Sequence, residues 1–519
     1  MSAEMLGGML LPVGVWLLLS STVPPSQQRR LSAFALCNAA VTAGAFYAYG
    51  FALAFGAMGL VFPDPAWQQL NHGIAMRLSP DSPNLWVIAG TRGFGLSEVT
   101  DPAVLRLFVG ALPLPLTASI LLTGLWLQAR GWAHVWAALV LSGTGVPLVL
   151  AWTWAGGWLD ALGRFSVLGT GFADLGRLTT LGCLVGAAAA VALLTAPRRS
   201  TGAPARLPEA HSPAGAFSGA MLALVGSAAL SLMQDPQLGL SQLIHTLLVA
   251  GVAVAMATAY GVFVACSANA LVAARALLAG LFAAASGAAW LPPWGVALLG
   301  VLCGLAVTVG HFWVTEIWRL DDAFGLLAGV ALPAMLGSLW VGLFGNSARV
   351  TGLMMAPASA QAVGQWWLQL LGVVAAAGLG ALLALPTSLA WGARPAAEEA
   401  LPAKSPARPI AAEATEQAPA ERNPRLVGVS SVGQAPHGLE PGGAASTASP
   451  SQTSALQRRS WLSLPARLRF GSAKAAKQPY AKRPPARRVA YPQRAGGRPL
   501  HIRPITNAGS SDQDAAAAQ

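Results

Sequence analysis

Few side chains in this sequence could do chemistry, and most of those stand in apolar surroundings. Asp174 lies in a stretch of small and aliphatic residues, with Arg177 three positions on. A carboxylate inside a membrane-spanning segment costs about 2.5–3.5 kcal/mol on insertion scales and marks a functional position by default. It can bind a cation or accept a proton. A second reading stands beside the first: on a helix, this spacing puts Asp174 and Arg177 on one face, where they would form a structural ion pair. Trp154 precedes a Gly-Gly pair. An aromatic face attracts small cations, and a Trp equally suits the membrane–water interface. His245 and His311 fall within apolar runs and read as side chains that satisfy a neighbouring helix. Asp321 and Asp322, beside Arg319, read as acids at a helix start, on the positive end of its dipole. Cys37, Cys183, Cys266 and Cys303 read as small buried hydrophobes. No Cys/His spacing suggests a metal site. No nucleophile–base pair or phosphate-cradling glycine loop rises above chance. No catalytic residue, metal or cofactor is therefore expected, and the chain does not read as an enzyme.

The elements that must hold these residues are membrane helices. Of 519 residues, 54% are hydrophobic and only 10% charged, and mean hydropathy is +0.55. A soluble domain carries about 25% charged residues, so a water-soluble globular fold is excluded. Runs long enough to cross a bilayer recur near 5–21, 32–60, 103–127, 133–153, 166–196, 216–234, 240–266, 273–290, 295–315, 324–344 and 361–387. The expected fold is an all-α polytopic membrane protein of about eleven transmembrane helices. Arg29 and Arg30 follow the first run, and no Lys or Arg precedes it. The positive-inside rule then puts the N-terminus outside and, with eleven spans, the C-terminus in the cytoplasm. Arg130, Arg198, Arg199, Arg206, Arg275 and Arg319 fall in loops on the inner side of that scheme. The loop 61–102, rich in Pro, Asp, Asn, Trp and Gly, reads as an ordered external cap.

Charge divides the chain in two. Residues 1–393 hold fourteen Arg, no Lys and twelve acidic residues, a net of +2, whereas residues 394–519 hold eighteen basic and eight acidic residues, a net of +10. The expected organisation is a transmembrane domain over 1–390 and a basic, Pro/Ala/Arg-rich cytoplasmic tail over 391–519. The tail has too few large aliphatics to offset its ordering entropy and reads as disordered. Between Arg458 and Arg503 stand thirteen basic residues and no acidic one, with Trp461, Leu464 and Phe470 near the start. Such a segment can sit on anionic lipid, at about 1 kcal/mol per basic residue, or meet an acidic partner. A solvated tail with no partner is the plainer alternative.

The stretch Trp154-Ala-Gly-Gly-Trp-Leu-Asp-Ala-Leu-Gly163, followed by Gly169-Thr-Gly-Phe-Ala-Asp174, resembles the fifth-helix region of the ammonium transporter (Amt/Mep/Rh) family. Two further stretches agree in order and spacing. Tyr49-Gly-Phe-Ala-Leu-Ala-Phe-Gly56 resembles the family's second helix, and Arg319-Leu-Asp-Asp322 with Gly325, Gly337 and Gly342 resembles its tenth. The resemblance covers residues 5–390. It implies two inverted halves of five helices each, an eleventh helix outside them, and a homotrimer with one narrow pore per subunit.

The resemblance also assigns positions. Trp154 falls on the vestibule Trp, and Ser166 on a buried Asp at the fifth-helix start. Asp174 falls on the first of two pore histidines and Val330 on the second. Valine neither binds a proton nor donates a hydrogen bond, so the twin-histidine relay is absent. The gate aromatics are missing as well: the matching stretches, Ala111–Thr117 and Leu230–Gln234, hold none. Two functions follow. The first is an ammonium transporter-like channel of the cell membrane, moving ammonia, ammonium or a similar small solute. The alternative is a non-transporting sensor or scaffold on the same fold.

Overall fold

In lipid every backbone amide and carbonyl must find a partner within the chain, and a helix supplies them all. The computed structural model describes residues 3–77, 85–125, 133–165, 171–196, 207–233, 236–346 and 364–392. The tail expected over 391–519 therefore lies outside the described residues but for its first two positions. Among the described residues, ten helices are long and apolar enough to span a membrane. They are α1 Met5–Thr22, α2 Pro25–Val61, α3 Pro102–Thr123, α4 His134–Thr153, α5 Leu178–Thr195, α6 Pro213–Leu232, α7 Leu238–Phe263, α9 Pro293–Ile317, α10 Leu327–Phe344 and α11 Gln365–Ala390. The expected eighth span is the shorter α8, Ala270–Ala284. It stops where Gly287 takes a φ of +141°, which no L side chain holds comfortably.

Helix starts carry their own caps. Asp101 accepts from the Ala103 amide at 2.7 Å ahead of α3, and Asn269 from the Leu271 amide at 2.9 Å ahead of α8. Ser212 accepts from the Gly215 amide at 3.1 Å at the start of α6. Each oxygen fills an amide that the first turn leaves without an intrahelical acceptor.

Small residues set how the helices cross. Gly14 of α1 lies against Ala223 and Gly219 of α6, and Gly226 of α6 against Leu11 of α1, with no room for a side-chain carbon at any of the three. The order of these contacts makes α1 and α6 antiparallel. Contacts between α5 and α10 run the same way: Gly182 meets Ala334, and Gly186 meets Ala331. Lipid gives apolar helices no hydrophobic reason to associate, so close backbone approach through small residues is the available glue. Helix α8 is buried along most of its length between these pairs, and Arg275, expected in a loop, is part of its buried face.

Loop 61–102 contains the one pair of strands among the described residues, β1 Gly73–Arg77 and β2 Leu85–Gly90, paired antiparallel. An all-α reading omits this hairpin. It is tied to the bundle by Trp152 Nε1, which donates to the Ile88 carbonyl at 2.9 Å, and by a bridge from Val87 to Gly157. Cys183 and Cys303 are buried, but Cys37 and Cys266 are exposed. An apolar neighbourhood in sequence does not fix burial: Cys37 stands on an exposed side of α2, and Cys266 falls in the bend after α7.

Candidate functional site

Asp174 sits in the turn ahead of α5 and is 2% exposed. Its Oδ1 accepts from the Thr179 amide at 3.1 Å, and its Oδ2 from the Thr180 amide at 2.9 Å and the Thr180 hydroxyl at 2.6 Å. The carboxylate thus fills open amides at a helix start and meets the positive end of the dipole. Asp322 does the same for α10, also at 2% exposure. Its Oδ1 accepts from the Leu326 amide at 2.8 Å, and its Oδ2 from the Leu327 and Ala328 amides at 2.9 and 3.4 Å. Asp321 is exposed beside it.

The two turns match in backbone as well. In each, the amide three residues on donates back to the aspartate carbonyl, Arg177 to Asp174 at 3.2 Å and Gly325 to Asp322 at 3.0 Å. Both of those residues are left-handed, with φ of +60° at Arg177 and +71° at Gly325. Glycine takes that conformation freely, whereas a residue with a Cβ gives up about 1–2 kcal/mol.

This turn removes the ion pair that an i, i+3 spacing would give Asp174 and Arg177. Neither residue is inside the helix, which starts at Leu178, so they do not share a helical face. No ion pair joins them among the described residues. The Arg177 guanidinium lies instead over the Trp154 ring, 4.6 Å from its centroid. That is within cation–π range, worth about 0.5–2 kcal/mol depending on desolvation. The Arg177 Nε is buried with no hydrogen-bond partner. Asp174 and Asp160 are the carboxylates whose fields reach the guanidinium. Asp160 lies in the connection between α4 and α5, where burial raises its carboxyl above the usual range and the Arg177 charge draws it partly back.

The second turn also has a buried arginine, with a different use. Arg275 of α8 donates through Nη2 to the Ala323 carbonyl. A Cβ on Gly325 would meet its Nη1 at 3.1 Å.

Trp154 ends α4, its amide donating to the Leu150 carbonyl at 2.9 Å, and its ring stands edge-on to Phe55 at 5.2 Å. With Arg177, Gly110, Leu114, Leu230 and Met233 it lines a pocket of about 70 Å³. The third- and sixth-helix stretches that hold no aromatic thus contribute Leu114, Leu230 and Met233. An aromatic does stand earlier on α3: Phe108 packs on Phe46 and Phe51 of α2, at centroid distances of 5.3 and 5.5 Å. Ser166 lies outside the described residues.

Val330 is 1% exposed, in a π-helical turn at the start of α10, Leu327–Ala331. It stands eight residues beyond Asp322, and the residue eight beyond Asp174 is Gly182. In the register set by the two capped turns, Val330 therefore pairs with Gly182, and Asp174 with Asp322. His245 Nδ1 donates to the Ala288 carbonyl oxygen at 2.7 Å; a carbonyl only accepts, so Nδ1 carries the proton. Reading along the sequence missed Arg177 as a site residue. The signal was present: Asp174-Leu-Gly-Arg177 and Asp322-Ala-Phe-Gly325 are the same turn, with arginine in the place of glycine.

A polytopic bundle whose fifth and tenth helices cross antiparallel, each begun by a buried aspartate cap, defines a class of membrane protein built from repeated halves. The model of the Ammonium Transporter Family matches residues 3–401, and the chain belongs to that family. Ammonium transporter Amt2 of Archaeoglobus fulgidus is 27% identical over 351 residues, covering 62% of this chain and 67% of that protein. Among solved structures, a Sensor Amt Protein aligns with a TM-score of 0.61 at 17% identity, covering 75% of this chain and 90% of the other. Saccharomyces cerevisiae Mep2 aligns at 0.58 and 17% identity, covering 75% and 86%. These likenesses show the fold.

Proposed function

We propose that this chain is a non-transporting member of the ammonium transporter family, serving as a sensor or scaffold in the membrane. The observation that carries this reading is the closed crossing of α5 and α10. Val330 is packed to 1% exposure, and Gly186 meets Ala331 with no room for a side-chain carbon; beside that contact Cys183, Gly186, Ala328 and Ala331 border a cavity of about 1050 Å³ shared with α9. Neither helix holds a carboxylate, imidazole or amine. Gly182 and Val330, the paired positions of the two helices, carry no titratable group, and Asp174 has both oxygens engaged by the start of α5. A permeant ammonium ion would find no group there to take its proton, and only neutral hydroxyls such as the buried Thr179 Oγ1 to replace its water. The same reading takes the bundle as a homotrimer in the cell membrane, N-terminus outside, with the basic tail in the cytoplasm against anionic lipid.

Conduction of ammonia, ammonium or a similar small solute is the second reading. It keeps one observation in its favour: Trp154 faces a pocket. Purified protein in liposomes, assayed for uptake of radiolabelled methylammonium, decides between the two. The expected result is uptake equal to that of protein-free vesicles. Uptake several-fold above them, saturable in methylammonium, would establish the channel.

A further inference from the structure

We propose that Arg177 is a resident cation: its guanidinium occupies the aromatic face of Trp154 and so keeps free ammonium-type cations out of the pocket. The inference rests on reading Trp154 as the entrance residue, and it names what fills that entrance. Four observations carry it. The guanidinium stands 4.6 Å from the Trp154 centroid, the place an external monovalent cation would take. It lines the pocket itself, together with Leu114, Leu230 and Met233, so little polar surface remains for a second cation. Its Nε is buried and unpartnered, so the group is not there to satisfy a neighbouring acceptor through that atom.

The fourth observation is the backbone. Arg177 holds a left-handed conformation at the position where the matching turn has Gly325. Strained backbone persists where the surroundings over-determine it, and such positions cluster at functional sites. A glycine would serve the turn without strain, so what the arginine adds is its side chain. The charge balance agrees. Asp160 and Asp174, the two carboxylates whose fields reach the site, would attract an external cation; the tethered one meets that field first. A like charge arriving at the same ring would be repelled at close range.

The test is equilibrium binding of radiolabelled methylammonium to the full chain in detergent, against a sodium chloride control. The variants are Arg177→Gly, which suits the left-handed backbone, and Arg177→Met, which keeps side-chain length without charge. Wild type is expected to show no saturable binding, and both variants a gain of at least tenfold. Wild type binding as tightly as the variants would overturn the proposal. So would two folded variants that bind nothing, or loss of the fold in both, which would make Arg177 a structural post. Liposome uptake, measured alongside, addresses the closed crossing separately. Variants that bind methylammonium yet take up none leave that crossing closed. Uptake by wild type would sink the non-transporting role without deciding what sits on Trp154.

Discussion

The turns ahead of α5 and α10 are two versions of one device. Each buries an aspartate, spends its oxygens on the first amides of a central helix, and needs a left-handed residue three positions later. They part at the arginine. Arg275 comes from another helix and donates to the turn's own backbone at Ala323. Arg177 comes from the turn itself and reaches out to Trp154. The shared half is architecture, which both repeats require in order to begin a buried helix. The differing half is the arginine, which in the first turn falls at the wall of a pocket.

The comparison breaks most readily at the aspartates. Asp174→Ala and Asp322→Ala should each destabilise the purified protein by about 3–5 kcal/mol in thermal unfolding, since each strands at least two buried amides at about 1–3 kcal/mol apiece. A silent substitution at either site would mean that the two turns are alike in shape only. Next in size is the left-handed position. Gly325→Ala should cost about 1–2 kcal/mol, because its Cβ meets both a positive φ and the Arg275 guanidinium. Arg177→Gly should be close to neutral in the same assay, relief of strain offsetting the lost ring contact. Thr180→Val removes one short bond to Asp174 and should cost about 1 kcal/mol; the second turn has no hydroxyl counterpart, so no substitution there reproduces it.

The smallest effect is one of pH. The folded protein raises the Asp160 carboxyl, so it binds that proton more tightly than the unfolded chain does. Stability contributed by this group is therefore present at low pH and declines as pH rises from the ordinary carboxylate range through the raised value. Asp160→Asn should flatten that part of the profile of melting temperature against pH.

Much of the fold was legible because hydropathy is a direct reading of what lipid permits. The expected spans 103–127 and 133–153 became Pro102–Thr123 and His134–Thr153. The fifth was read too long, as 166–196, because small and apolar residues continue ahead of the helix on both sides of Asp174; α5 begins only at Leu178. That error misplaced the chemistry. An i, i+3 pair on a helix became two residues of a turn, and the ion pair gave way to a ring contact. Asp322, flanked by acid and arginine, was read as a helix-start acid and is one. Asp174 has no second acid beside it and its arginine follows it, so only comparison with the second turn gives its register. The hairpin escaped because β1 is half-exposed and short, with little alternation to mark it.

The glycine-lined contact between α1 and α6 bears on how the chain is made. Roughly 190 residues separate the end of one helix from the start of the other, so a ribosome working at about 5–20 residues per second emits α6 roughly 10–40 s after α1. Throughout that interval the first helix sits in the bilayer with its notched side, Leu11 to Leu18, facing lipid or the insertion machinery. Biogenesis must hold it there until the partner cut to fit it arrives.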